Sequence, residues 1–539
     1  MRIIFRFLPS IFIGVVALSP LFVCANQGPA GSVANIGRGS SANQGSVSSA
    51  NQGSVSSANQ GSHSGISLQL GSGLQDSMVI QQNRPFTIWG KAPAGEVLSI
   101  RADWMPEAIT VKADTGGNFY GLISVPAVKS GDYTSHKIEV TDGVSPIILQ
   151  NVLIGEVWLC SGQSNMQFGL KEVLDSTREV AAANYPNLRL LDVALNFSAK
   201  PFGSFKGTWK SCTPSTVRGF SAVGYYFGRE LQQTLQVPIG IIFSGIGASA
   251  AQAYVPQPVL ADDTLLNRVY LQPYLNSPMS KEVIDGGFSF EKVTRPFLLY
   301  NALVYPLRHL SIRGICWYQG ESNRKERLSY TRLMQALITS WRQTFAQGEL
   351  PFYYVQVAPY YLEKEDPTLA DYAFFREAQE KVSALNNTAM VTTVDVGEAK
   401  NLHPHNKKPI GIRLARTALN RTYARLDIIA CGPQYQHIEI SGKKAVVYFE
   451  PGTTAGGLHT DDGSAPSFFT IAGEDQLFYP AQAIIDGDKV IVSAAQVRRP
   501  VAVRYAFTNY PVTSLHNGEG WPVIPFRTDS WAEPAPKTN

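Results

Sequence analysis

Gly155-Glu156-Val157-Trp158-Leu159-Cys160-Ser161-Gly162-Gln163-Ser164-Asn165-Met166-Gln167 is the stretch on which the fold turns. Val157–Cys160 reads as a short buried strand, Gly162 allows a tight turn, and Ser164 follows where a helix should start. This is a sound physical location for a nucleophile. The serine N–H then points toward a reacting carbonyl oxygen, and the helix dipole favours the anion that develops there. Taken alone, a Gly-x-Ser of this kind is more often the signature of an N-cap serine.

Two further segments have the same character. Trp317-Tyr318-Gln319-Gly320-Glu321-Ser322-Asn323 follows an apolar strand directly. Polar side chains at the carboxyl end of a sheet strand are where α/β folds place their sites, although Glu321 alone would suit a helix-capping role. Asn401-Leu402-His403-Pro404-His405-Asn406-Lys407 precedes a helix that begins near Pro409. A histidine in such a loop can reach a serine on a neighbouring strand end, and a lone histidine there is otherwise a surface residue.

Working outward, residues 153–424 alternate strand-like runs with helical stretches, an α/β catalytic domain built on a parallel sheet. The strands are Val157–Cys160, Ile239–Phe243, Gly314–Tyr318, Phe352–Val357 and Met390–Val394; the helices are Tyr225–Leu235, Tyr330–Phe345 and Pro409–Ala424. Residues 66–152 carry short β-rich runs and turn signals such as Thr115-Gly116-Gly117-Asn118, which predict a small N-terminal β-sandwich. Short strands return over 425–535, including Ala445–Phe449 and Lys489–Ser493, so a second β domain is expected there.

Arg2 and Arg6 precede an apolar run from Ile11 to Val23, and a small-residue cleavage site lies before Asn26, so residues 1–25 read as a signal peptide. The run is too short for a comfortable membrane span. Export to the periplasm or the medium, or display at the cell surface, follows. Leu21-Phe22-Val23-Cys24 also resembles a lipoprotein processing site, but large Val23 stands where a small residue belongs, and a lipid anchor at Cys24 is not favoured. Residues 26–65 repeat Ser-Ser-Ala-Asn-Gln-Gly-Ser-Val with almost no large apolar side chain, the composition of a flexible tether.

The 539-residue chain is 44% hydrophobic and 16% charged, a globular balance, and its length calls for roughly three or four folding units. A formal net charge of +4 with no long basic run gives a nucleic-acid role no support. Beyond the signal, Cys160, Cys212, Cys316 and Cys431 permit disulfides without defining a pairing, and no close-set Cys/His cluster suggests a structural zinc.

Together the segments resemble the sialate O-acetylesterase-like branch of the SGNH (GDSL-like) hydrolases. The resemblance runs from about Leu70 to Asp529 and includes an opening phrase from Asp76 to Glu96, the block at 155–166, Phe220–Phe227, the block at 317–323, and Pro500–Tyr505. It implies a flavodoxin-like catalytic domain flanked by β domains, with Ser164 as nucleophile and His403 as general base. The implied oxyanion hole is the Ser164 N–H, the backbone of Gly247 and the Gln319 amide. Where relatives read Trp-Gly-Gly-Thr, this chain has Ile246-Gly247-Ala248-Ser249, and where they often carry an aspartate shortly before the histidine it has Lys400 and Asn401. The implied chemistry is acyl transfer from an O-acetylated sialic acid or sialoglycan, and it requires neither metal nor organic cofactor. Acetylated xylan or another polysaccharide is the rival substrate, and a non-catalytic sugar-binding surface protein is the rival of a different class. With no aspartate upstream, the expectation is a Ser164–His403 dyad oriented by a backbone carbonyl or by Asn401, with Asp395 and Glu398 dispensable.

Overall fold

The computed structural model describes residues 67–361, 365–366 and 368–533. The signal peptide and the repeat tether lie outside the described residues.

An eleven-stranded sheet forms the backbone of these residues. Its strands are β1 (Val79–Gln81), β2 (Val97–Ala102), β3 (Ile109–Lys112), β4 (Ser135–Thr141), β5 (Ile147–Gly162), β6 (Tyr185–Asp192), β7 (Trp209–Cys212), β8 (Ile239–Phe243), β9 (Gly314–Tyr318), β10 (Phe352–Val355) and β11 (Thr388–Val391). The main path is β7-β6-β8-β5-β9-β10-β11. Every neighbouring pair on it is parallel except β6 and β7. With the edge pair β6–β7 set aside, the remaining five strands run in the order 2-1-3-4-5, the flavodoxin-type winding. The chain switches direction about β5, and the crevice at the carboxyl end of β5 is where such sheets place ligands.

The 16-residue β5 spans two environments. Its first half pairs with β4 and β1 in the N-terminal β region and mixes exposed with buried positions. Its second half, flanked by β8 and β9, is buried throughout, as a sheet covered on both faces requires. The boundary expected between residues 152 and 153 therefore falls inside one continuous strand. The other N-terminal sheet pairs Gln69–Leu70, Phe86–Lys91 and Asn118–Ile123.

Successive β5 side chains enter two different cores. Val157 and Leu159 join Ile315, Trp317, Leu333, Leu337 and Trp341 on the face covered by helix Leu328–Phe345. Trp158 and Cys160 join Tyr226, Phe227, Ile410 and Leu414 on the face covered by helices Ala222–Leu235 and Lys408–Arg421. The last two helices cross closely at Gly411, where an added Cβ would stand 2.5 Å from Tyr226 Cβ. This crossing brings the start of the Lys408 helix, and the histidine loop before it, over the end of β5.

Beyond residue 434 the chain forms two four-stranded antiparallel sheets and a two-stranded one. The region docks on helix Asp371–Glu380. Buried Arg376 donates to the carbonyls of Thr508 and Asn509, and Arg527 pairs with Glu377 at 2.9 Å. All four described cysteines are buried, and Cys160, Cys212 and Cys316 are free thiols. Among the described residues no helix is long and apolar enough to cross a membrane.

Candidate active site

The turn after β5 is shaped by Gly162. Its φ of +140° is a conformation that L side chains rarely adopt, and an added Cβ would lie 2.1 Å from the Tyr318 carbonyl oxygen. Gln163 then anchors the turn to the next strand end: its N–H donates to Tyr318 O at 3.0 Å, and its Oε1 accepts from Gly320 N–H at 3.2 Å. Ser164 follows as the first residue of the short helix α1 (Ser164–Gln167). Among the described residues its N–H has no acceptor, the usual condition of a first-turn donor.

The two serines of the turn have different surroundings. Ser161 is 0% exposed and donates its hydroxyl to Ser244 O at 2.5 Å, tying β5 to the end of β8. Ser164 is half-buried, and its Oγ lies 2.7 Å from His403 Nε2. The 239-residue separation between these partners is closed by the sheet order and the helix crossing.

Asn401 holds the backbone of His403, its Oδ1 accepting the His403 N–H at 3.0 Å. It does not hold the ring, so the expected role of Asn401 is corrected to fixing the loop. Among the described residues His403 Nδ1 has no hydrogen-bond partner, so the expected carbonyl is not found either. Glu398 is engaged elsewhere, its carboxylate 2.9 Å from His405 Nδ1 and accepting from Asn401. Asp395 is clamped by Arg413 at 2.7 and 2.6 Å. Burial lowers the His403 pKa from its ordinary value; the nearby Lys407 charge lowers it further, and the exposed Glu172 opposes both. His403 is therefore a neutral ring at neutral pH, the state a base needs.

The proposed oxyanion donors divide. Gly247 lies against the nucleophile: a Cβ added there would be 3.4 Å from Ser164 Cβ. Its N–H donates to Gln167 Oε1 at 2.8 Å, so an amide oxygen now occupies the acceptor position beside Ser164. The Gln319 amide is engaged elsewhere. Gln319 is 0% exposed, and its Nε2 donates to Asn323 Oδ1 at 2.7 Å and to Ser249 O at 3.2 Å. Both amide hydrogens are engaged, so Gln319 would have to exchange a partner to meet an oxyanion, as Gly247 would have to exchange Gln167. Glu321 is not a cap: its Oε1 accepts from Asn165 Nδ2 at 2.5 Å, far from solvent. Gln167, Glu172 and Lys407 are additional residues of the site. Gln167 stands inside the quoted motif, but nothing in the sequence signals that its side chain folds back onto Gly247.

A half-buried serine on the first turn after the central strand, with a neutral histidine against its hydroxyl, defines a hydrolase of the serine-esterase class. Residues 282–420 match the family described as carbohydrate esterase, sialic acid-specific acetylesterase. The crystal structure of a carbohydrate acetylesterase from Xanthomonas citri superimposes with a TM-score of 0.76 at 33% identity, covering 86% of this chain and all of that one. Sialate O-acetylesterase of Rattus norvegicus is 28% identical over 432 residues, 71% of this chain and 79% of the rat protein. The Homo sapiens enzyme of the same name is 26% identical over 432 residues, 71% and 76% of the two chains. This chain belongs to the sialate O-acetylesterase-like family of carbohydrate esterases and is a carboxylic ester hydrolase.

Proposed function

We propose that the protein is a sialate O-acetylesterase of the SGNH type, with Ser164 as nucleophile and His403 as its base. The 2.7 Å contact between Ser164 Oγ and His403 Nε2 carries the reading. In the neutral ring Nδ1 bears the hydrogen and Nε2 accepts the Ser164 hydroxyl proton as Oγ attacks the acetyl carbonyl. The resulting oxyanion is held by the Ser164 N–H and, once Gln167 Oε1 withdraws, by the Gly247 N–H. The imidazolium returns its proton to the sugar oxygen as the C–O bond breaks, and water then hydrolyses the acetyl-enzyme by the same route.

The mammalian relatives are named for sialate substrates, whereas the Xanthomonas enzyme, more similar over more of the chain, is named only for carbohydrate. Acetate release should therefore be measured on O-acetylated N-acetylneuraminic acid beside acetylated xylan. A kcat/KM at least about tenfold higher on the sialic acid supports the reading; a preference for xylan by that margin would replace it with the polysaccharide esterase. We also infer that residues 1–25 direct export, which intact-mass measurement of the mature protein tests: a retained Met1 would contradict it.

A further inference from the structure

Beneath the Ser164–His403 pair lies a buried polar chain that the acyl-transfer steps leave unused. Lys407 is 0% exposed and donates from Nζ to Asn165 Oδ1 at 2.5 Å. Asn165, next to the nucleophile and also 0% exposed, donates from Nδ2 to Glu321 Oε1 at 2.5 Å and to Leu402 O at 3.1 Å. Leu402 immediately precedes His403. One amide side chain thus joins the nucleophile turn, the histidine loop and the turn after β9. The Lys407 ammonium also lies 4.7 Å from the Phe168 ring centroid and 5.7 Å from that of Tyr318.

Such a chain is costly to maintain. Burial lowers the Lys407 pKa to about 7, against the opposing fields of Glu321, Glu398 and Glu172. Burial raises that of Glu321, against Asn165 and Lys407. Among the described residues Glu321 Oε2 has no hydrogen-bond partner. Apolar side chains of similar volume would fill the space at least as favourably, so packing does not account for this choice of residues.

We propose that Lys407 is a positioning residue for the esterase reaction: through Asn165 it locks the histidine loop to the nucleophile turn, and its charge acts on the His403 ring. The proposal rests on the Ser164–His403 reading given above. His403 is faced by Lys407 from the end of its own loop and by Glu172 from the turn after α1, while Glu398 and His405 of the same loop are paired with each other. The signs agree. A cation whose field reaches the ring disfavours the imidazolium, and the His403 pKa is lowered from its ordinary 6.5. Lys407, at about 7, is still charged where His403 titrates. Without an anion on Nδ1, the enzyme gives up some stabilisation of the imidazolium and retains a working base at lower pH.

Two variants separate the charge from the hydrogen bond. Lys407→Gln keeps a donor for Asn165 Oδ1 without the charge; Lys407→Met keeps neither. The readouts are the pH dependence of kcat/KM for acetate release and the NMR titration of the His403 ring in histidine-labelled full chain, assigned with His403→Gln. In both variants the ring midpoint and the acid limb should rise together by about half a pH unit or more. At the alkaline plateau, kcat should fall about tenfold or more in Lys407→Met and stay within about threefold in Lys407→Gln. A His403 midpoint unmoved in folded Lys407→Gln overturns the proposal, as does a wild-type plateau in Lys407→Met. If the Ser164–His403 reading were itself wrong, His403→Gln would remain active while the ring titration still reported on Lys407, so the two failures are distinguishable.

Discussion

At the scale of single residues, the quoted motif contains its own control. Ser161 and Ser164 share one turn, but only Ser164 meets the imidazole, while Ser161 is buried on the Ser244 carbonyl. Ser164→Ala should lower the rate about a thousandfold or more with the fold intact, and Ser161→Ala should keep most activity. Acetate release by the two variants checks this, and reversed results would place the nucleophile in the wrong register. His403→Ala should be nearly inactive and His405→Ala mildly affected, since His405 is exposed and pairs with Glu398. Because neither Glu398 nor Asp395 meets the His403 ring, Glu398→Gln and Asp395→Asn should each cost less than about tenfold in rate. Removing an orienting triad carboxylate costs about ten-thousandfold. The side chains that meet at Ser164 were legible because the strand–glycine–serine pattern and the loop histidine follow from local sequence. The hydrogen bonds of Gln319 were not, because a motif gives residue types and spacing but not which partners a buried amide takes.

At the scale of elements, strands and helices of the α/β region followed from apolar runs and 3.6-residue periodicity. Ile239–Phe243 and Gly314–Tyr318 lie where the pattern put them. The helix predicted from Pro409 begins at Lys408. The length of β5 was not legible. Its first half mixes exposed and buried positions and its second half is buried throughout, so the pattern reads as two strands with a domain boundary between them. Glu156, which is 1% exposed, ties the strand to both regions. Its carboxylate accepts from Arg313 at 2.6 and 2.9 Å, Gln81 at 3.1 Å, Gln82 at 2.7 Å and Tyr423 at 2.9 Å. These partners come from the N-terminal β region, from just before β9 and from just after the Lys408 helix. Glu156→Gln leaves Arg313 without its counter-charge and should destabilise the protein by about 3 to 5 kcal/mol. Urea unfolding measures this; a loss below about 1 kcal/mol would mean that the junction is held by apolar packing instead. Ala248, at φ +61°, points the other way: Ala248→Gly should raise stability by a few tenths of a kcal/mol to about 1 kcal/mol and retain activity.

At the scale of the whole molecule, the C-terminal β region is fastened near the histidine loop by an ionic cluster. Asp395 accepts both Arg413 contacts, and His516 Nε2 lies 3.8 Å from Asp395 Oδ2. Burial disfavours a charged His516, but Asp395, the Ser514 carbonyl and Asp461 together hold its pKa above 6.5. A raised folded-state value contributes stability that is fully present below the unfolded histidine value. That contribution is lost as pH rises through the folded one. The melting temperature should therefore fall from pH 6 toward pH 8 by more in the wild type than in His516→Gln. Equal slopes would show that His516 does not couple docking to pH. The acid side follows Asp395: burial opposes its ionisation, yet Arg413 and His516 hold it well below the ordinary aspartate value. Its contribution is present above that value and is lost in strong acid.

The central claim, that Ser164 is the nucleophile and His403 its activating base, is tested most directly by a covalent probe that reports the attacking atom. A fluorophosphonate phosphonylates an activated serine, with fluoride as the leaving group, without requiring a correct guess of the sugar. Peptide mapping by mass spectrometry after labelling the wild-type chain should place a single adduct on Ser164. Labelling should be absent in Ser164→Ala and slowed about a hundredfold or more in His403→Ala. An adduct on Ser161 or any other serine, or an undiminished rate in His403→Ala, would contradict the account.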